Sequence, residues 1–214
     1  MSELYCVRLL VEGVDDCHVT IHVLTGNNVN SFRVKDCNGY SNVKDLFKAE
    51  LKASDSARIG IIVDADGETG IGGPEPRWES LKHLLGECGY KDLPAEMPQE
   101  GLIAVGGEKP VGLWLMPDNT SMGMLEHFMA ELVPEGDRLW DRACQSVNGI
   151  PEPDRRFKPQ AKPKAEVHTW LAWQEEPGTP LGLAVKKKYF DPSAPTAQAF
   201  VNWVNRLLAV EVPE

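Results

Sequence analysis

Short apolar runs alternate along the chain with segments whose apolar residues recur at helical spacing. The runs predict β-strands at residues 4–11, 31–35, 58–63, 101–105 and 111–116. The helical spacing predicts helices at residues 15–24, 43–51, 78–85, 124–132 and 200–207, and one more that carries Trp170, Leu171 and Trp173. Strands that alternate with helices indicate an α/β fold. We therefore expect a Rossmann-like, mostly parallel sheet flanked by helices, with a C-terminal helical extension.

The last third of the chain differs from the rest in composition. Residues 134–163 contain five prolines and many charges, which predicts an irregular or partly helical excursion. The sequence Lys186-Lys187-Lys188-Tyr189 is expected to form a turn. We thus expect two parts, an α/β core over residues 1–133 and, over residues 134–214, a proline-rich basic segment whose C-terminal helices pack on that core.

The overall composition is that of an ordinary globular protein. The chain has 214 residues, of which 42% are hydrophobic, and its formal net charge is −10. No apolar run approaches the roughly 18 residues that a membrane-spanning helix needs. The five cysteines form no Cys-x-x-Cys pair, which argues against structural zinc and favours a reducing compartment. We expect a cytoplasmic protein without a membrane partner.

The acidic balance argues against a protein that coats nucleic acid with its whole surface, because that mode needs basic charge. The charge is uneven, however, since residues 151–190 hold eight basic and five acidic side chains. Nucleic acid could therefore be bound through residues 155–188. The alternative is that these lysines and arginines form a solvated face. Trp170 and Trp173 lie within this stretch, beside its basic residues, and could stack on bases, although core packing is their simplest role.

Acidic residues follow three of the predicted strands. Glu12 follows the first, Asp64 and Asp66 follow the third, and Asp118 follows the last. Ligands of parallel α/β sheets bind beyond the carboxyl ends of the strands. Two more acids are expected near the same edge, Asp16 in the first turn of a helix and Glu126 in the helix after Asp118.

Carboxylates that converge in one crevice repel one another, so a hard divalent cation would stabilise them. Oxygen ligands of this kind favour Mg²⁺ or Mn²⁺. The corresponding chemistry is phosphoryl transfer or phosphodiester hydrolysis. We predict a metal site made of Glu12, Asp16, Asp64, Asp66, Asp118 and Glu126.

These residues resemble the Toprim domain of topoisomerases, bacterial primases, RecR-type repair proteins and OLD-family nucleases. The resemblance rests on Val11-Glu12-Gly13 and on the run from Ile61 to Gly67, and it covers residues 4 to about 132. Asp16, four residues after Glu12, and Glu126 are most similar to the OLD-family version. The resemblance implies a Toprim fold and Mg²⁺-dependent cutting or joining of nucleic acid. It also implies a phosphate-binding lysine among Lys186, Lys187 and Lys188.

The resulting hypothesis is a Mg²⁺-dependent, nuclease-like phosphodiesterase that acts in DNA repair or phage defence. Its expected catalytic residues are Glu12, Asp64, Asp66 and Lys186. Two alternatives stay open, a non-catalytic adaptor of RecR type and a hydrolase of small phosphate esters. The ATPase and the large DNA-binding domains of Toprim enzymes do not fit in 214 residues. Binding of nucleic acid would then depend on the C-terminal segment, on a homodimer or on a partner protein.

Overall fold

The structure, a computed structural model, describes residues 6–66 and 72–212. The strands in these ranges are β1 (Val7–Val11), β2 (Phe32–Asp36), β3 (Arg58–Asp64), β4 (Leu102–Ala104) and β5 (Val111–Met116). The helices there are α1 (Val14–Gly26), α2 (Tyr40–Lys52), α3 (Pro74–Glu87), α4 (Leu125–Glu131), α5 (Arg138–Asn148), α6 (Lys162–Leu171), α7 (Leu181–Lys186) and α8 (Pro195–Ala209). Two short 3₁₀ turns, Glu152–Asp154 and Pro159–Ala161, precede α6.

The strands form one sheet in the order β2-β1-β3-β5-β4. All neighbouring pairs are parallel except β4 with β5, which is antiparallel. The mostly parallel, Rossmann-like α/β fold expected from the sequence is therefore confirmed. In this order β3 lies between β1 and β5, so the carboxyl ends of these three strands are neighbours at one edge. That edge is the place where open parallel sheets bind ligands.

The sheet separates two apolar cores, because successive strand residues point to opposite faces. Leu9 and Val11 of β1 belong to one core and Leu10 to the other. Helices α1, α4 and α8 pack on the first face and α5, α6 and α7 add to the same core through these and each other, while α2 and α3 cover the second face. Burial on both faces explains why β5, and β3 between its charged end residues Arg58 and Asp64, are apolar rather than alternating.

The C-terminal helix packs directly on the sheet. The indole of Trp203 in α8 lies over Gly60 and Gly112, where a Cβ on Gly112 would come within 2.8 Å of the ring. The Trp203 Nε1–H also donates a hydrogen bond of 3.0 Å to the carbonyl of Leu102. Residues beyond 134 thus contribute to the same core as the strands.

Several local expectations need correction. The segment expected to be irregular or partly helical contains an 11-residue helix, α5, and Lys186, expected in a turn, is instead the last residue of α7. The helix α3 begins at Pro74, four residues before the start expected at residue 78, and α1 begins at Val14, one residue before the start expected at residue 15. Residues 4 and 5 of the first predicted strand, and Gly67 of the Toprim-like run, lie outside the described residues. No helix in the described ranges is long and apolar enough to cross a membrane.

Candidate functional site

Backbone hydrogen bonds tie the acids that follow β1 and β3 to each other. Glu12 is the residue after β1, and its Oε1 accepts a hydrogen bond of 2.9 Å from the N–H of Asp64. Asp64 ends β3, and its Oδ1 accepts a bond of 3.0 Å from the N–H of Leu125 at the start of α4. The carboxyl ends of two adjacent strands and the first turn of α4 are therefore joined by two carboxylates.

Asp16 lies in the first turn of α1 and faces the same edge. Its Oδ2 lies close above Gly13, 3.3 Å from where a Cβ would be, and its Oδ1 is buried without a hydrogen-bond partner. Burial raises the pKa of Asp16 to about 7, and the nearby charges of Glu12 and Glu126 add to the effect. A buried carboxylate oxygen without a partner is costly, so this position is suited to a positively charged ligand.

Asp64 has the same electrostatic character as Asp16. Burial raises its pKa well above the ordinary value, and the charges of Asp16, Glu12 and Glu126 raise it further. The hydrogen bond from Leu125 acts in the opposite direction but does not offset them. Glu12, Asp16, Asp64 and Glu126 therefore form one electrostatically coupled group, which we call the carboxylate cluster.

Glu126 connects the carboxylate cluster to the C-terminal part of the chain. It lies in the first turn of α4, is only 3% exposed, and its Oε1 is 3.1 Å from the Nζ of Lys164 in α6. Partial burial opposes the charged form of Lys164, but Glu126, Asp15 and Asp64 outweigh it and raise the lysine pKa. Lys164 is thus the lysine that the fold brings to the carboxylate cluster.

Sequence reasoning did not single out Lys164. It selected Lys186 instead, which lies exposed at the end of α7. There Lys186 faces α1, where burial and then the positive charge of Lys186 lower the pKa of His22. The signal for Lys164 was present in the basic stretch that begins at Arg155, but only the path of α6 shows which of these residues reaches the carboxylates.

Asp66 lies beside the cluster but is held differently. Its N–H donates a hydrogen bond of 3.0 Å to the carbonyl of Gly123. Its own carbonyl accepts a hydrogen bond of 2.7 Å from the guanidinium of Arg77. The Oδ1 of Asp66 is buried without a hydrogen-bond partner. Its side chain lines a neighbouring groove.

Asp118 is used within its own turn. Its two carboxylate oxygens accept hydrogen bonds from the backbone N–H and the hydroxyl of both Thr120 and Ser121. Although partial burial acts in the other direction, these bonds lower the pKa of Asp118. Asp118 therefore stabilises its own turn and is not part of the carboxylate cluster.

The donor chemistry of the carboxylate cluster suits a hard divalent cation. Carboxylate oxygens are the ligands that Mg²⁺ and Mn²⁺ prefer, and Asp16 offers a buried oxygen without a hydrogen-bond partner. Within residues 6–66 and 72–212, no three histidine, cysteine, aspartate or glutamate side chains are already arranged around one point. Binding of a cation would therefore require the side chains to move closer together.

A groove of about 600 Å³ opens beside Asp66, between α4 and the start of α6. Its apolar wall contains Met122, Ala130, Trp140, Pro159 and Pro163. Its polar residues are Asp66, His127, Gln160, Lys162 and Glu166. Asp66, which lines the groove, is two residues beyond Asp64 of the carboxylate cluster.

The fold and this site together define an α/β protein with a Rossmann-like sheet and coupled buried carboxylates at its carboxyl edge. The chain belongs to the family described as Protein of unknown function (DUF3226), whose model matches residues 7–209. No curated protein and no solved structure matches the chain.

Proposed function

We propose that this protein is a Mg²⁺- or Mn²⁺-dependent phosphodiesterase of the Toprim kind that acts on nucleic acid in the cytoplasm. The observation that carries the proposal is the coupling of Glu12, Asp16, Asp64 and Glu126 at the carboxyl edge of β1 and β3. The resemblance of the sequence around Glu12 and Asp64 to OLD-family nucleases supports the same chemistry.

The raised pKa values of Asp16 and Asp64 explain why a cation belongs at this site. Burial and the neighbouring carboxylates oppose ionisation of Asp16 and Asp64, and a bound cation would favour their charged forms. Glu12, Asp16 and Asp64 would hold the ion, with Glu126 within reach through movement of its side chain. A bound divalent ion of this kind activates water and stabilises negative charge on a phosphoryl group.

The protein's own residues would orient the substrate phosphate. Lys164 is already positioned by Glu126 and is half-exposed, so it can place a positive charge beside a phosphate at the cluster. In this proposal Lys164 takes the role that the sequence suggested for Lys186. Arg156 and Lys158 are exposed shortly before α6 and would contact the nucleic-acid backbone further along.

A non-catalytic adaptor is the second candidate. It is favoured by the finding that the described residues hold no preformed three-ligand group. An adaptor would use the same edge of the sheet to contact a partner and would not need a complete ligand set. For the enzyme and for the adaptor alike, binding to a partner protein and formation of a homodimer are predictions.

The first prediction separates the enzyme from the adaptor. Glu12→Gln and Asp64→Asn should each abolish Mg²⁺- or Mn²⁺-dependent cleavage of a labelled oligonucleotide, because each removes a cluster carboxylate. Each variant should also reduce the increase in melting temperature that millimolar Mg²⁺ or Mn²⁺ produces in the parent protein. Glu135→Gln, an exposed carboxylate elsewhere, serves as the control and should leave both responses unchanged.

The lysine assignment is tested with a matched pair. Lys164→Ala should lower the cleavage rate at least about tenfold, because a charge-assisted phosphate contact is lost. Lys186→Ala, at the end of α7 near His22, should have little effect. Absence of metal-dependent cleavage in the parent protein, together with an unchanged melting temperature on addition of either metal, would favour the adaptor.

A further inference from the structure

The groove beside Asp66 combines size, apolar character and access to solvent. Its volume of about 600 Å³ falls in the range typical of small-ligand pockets. Met122, on its wall, is 56% exposed, and Trp140 is only partly buried. By contrast, Trp78, Trp114, Trp170 and Trp203 are fully buried. Exposed apolar residues gathered in a concave surface usually mark a binding site.

Polar groups at the edge of the groove are available for hydrogen bonding. The Nδ1 of His127 accepts a bond of 3.1 Å from the N–H of Met124, so the neutral ring carries its proton on Nε2. That Nε2–H is a donor fixed in orientation by α4. The Oδ1 of Asp66 is buried and without a hydrogen-bond partner. An occupant with a flat apolar face and polar edge groups would satisfy this combination.

We propose that this groove binds an unpaired nucleobase of a nucleic-acid strand whose backbone crosses the carboxylate cluster, an inference that rests on the proposed function. The substrate would then be single-stranded nucleic acid or a locally unpaired segment. Aromatic side chains such as Trp140 stack on bases without strong sequence preference, and His127 and Asp66 can bond the base edge. Asp66 lines the groove and follows Asp64 of the carboxylate cluster by two residues, so a base in the groove would lie near a phosphate at the cluster.

The concave, solvent-open shape of the groove suits the face of an unpaired base better than a duplex. Bases inside a duplex are stacked and paired, so their faces are not accessible to a side chain unless the base is flipped out. The walls of the groove come from α4, from Trp140 of α5 and from the start of α6, and the groove is open to solvent, so an unpaired base can enter it. Trp170, which the sequence suggested for stacking, is buried and donates its Nε1–H to Asp137.

The test measures binding without metal, so that it does not depend on cleavage. In the Trp173→Phe background, Trp140 is the partly accessible tryptophan of the described residues, and its fluorescence reports on the groove. In EDTA, a short oligothymidylate should quench this fluorescence. It should also bind at least about fivefold more tightly than an abasic oligonucleotide with the same number of phosphates, since stacking contributes to affinity.

Substitutions then locate the effect. Trp140→Leu should remove the preference for the oligothymidylate over the abasic strand, measured by fluorescence anisotropy of a labelled strand. Trp173→Leu is the matched control, because Trp173 is 42% exposed outside the groove, and it should keep the preference. Trp140 also packs edge-on against Trp170, with ring centroids 6.3 Å apart. Met122→Ala therefore serves as a second variant, which should weaken the preference without disturbing that packing.

Equal affinity for the intact and abasic strands would overturn the inference. So would binding of a blunt duplex as tight as that of the single strand, or a preference that survives both Trp140→Leu and Met122→Ala. Failure of base binding and failure of the proposed enzyme activity give different results. A base preference without metal-dependent cleavage would support base binding in the groove and overturn the proposed phosphodiesterase activity. Cleavage without a base preference would support the phosphodiesterase activity and overturn base binding in the groove.

Discussion

Asp16 shows how strongly burial acts on one residue of the site. Its carboxyl is held in the first turn of α1, with Oδ1 buried and unpartnered, and burial together with Glu12 and Glu126 raises its pKa to about 7. An unfolded chain would have this group near 3.8. Between these values the folded state binds a proton that the unfolded state has lost. Stability therefore falls as the pH rises from about 4 to about 7.

This fall in stability with rising pH leads to a prediction for the metal-free protein. Asp16→Asn removes the titrating group, so the variant should gain stability relative to the parent as the pH rises. One pKa unit corresponds to about 1.4 kcal/mol, and about two pH units of the range from pH 5 to pH 8 lie below the raised pKa, so the relative gain over this range should be roughly 3 kcal/mol. Urea denaturation in EDTA at the two pH values measures it. A difference in unfolding free energy that is the same at both would contradict the burial of this carboxyl.

The site residues differ in how far the sequence could predict them. Glu12, Asp16 and Asp64 were predictable because they follow apolar strands or begin a helix at the carboxyl edge, and strand order then brings them together. Asp118 follows a strand as well, but Thr120 and Ser121 occupy its oxygens. Lys164 depends on how α6 packs against α4, and a charge run does not contain that information.

At the scale of elements, strands were easier to predict than helices of the C-terminal part. The helix α5 lies in a segment flanked by prolines, and its N-cap, Asp137, accepts hydrogen bonds from the N–H groups of Leu139 and Trp140. The capping residue was a usable signal that proline content obscured. The helix α7 has six residues, too few for an apolar period to appear.

The helix α7 is defined by its contact with α1. Gly182 packs against His18 so closely that a Cβ there would lie 2.4 Å from the His18 Cβ and 2.8 Å from its carbonyl carbon. Backbone atoms cannot move aside as the end of a flexible side chain can. The pairing of these two helices, and thereby the position of Lys186, depends on the absence of a side chain at residue 182.

A matched pair of glycine substitutions tests this packing. Gly182→Ala should destabilise the protein by roughly 1–3 kcal/mol, as overpacked sites usually do. Gly86→Ala, in α3, meets no atom within 4 Å and should be neutral or slightly stabilising, because alanine favours a helix. Thermal and urea unfolding of the two variants provide the comparison. Equal stability of both would show that α7 does not pack on α1 as described.

At the scale of the whole molecule, one aromatic cluster joins the two parts of the chain. Trp114 of β5 lies 5.4 Å from Phe200 and 5.7 Å from Trp203, both in α8, measured between ring centroids. Phe128 of α4 is 5.8 Å from Phe200. Each of these rings is almost fully buried. Burial of large aromatic rings contributes strongly to folding, so the apolar core on this face of the sheet is not complete without α8.

The chain should consequently unfold as a single cooperative unit. Far-ultraviolet circular dichroism and tryptophan fluorescence should give the same urea midpoint, because the tryptophans are distributed over both parts of the core. Residues 1–133 alone should not fold, since removal of α8 exposes Trp114 and the sheet face around Gly60 and Gly112. Loss of near-ultraviolet dichroism in this fragment would be the expected result. Two separate transitions in the full chain, or a natively packed fragment, would instead assign residues 134–214 to an independent domain.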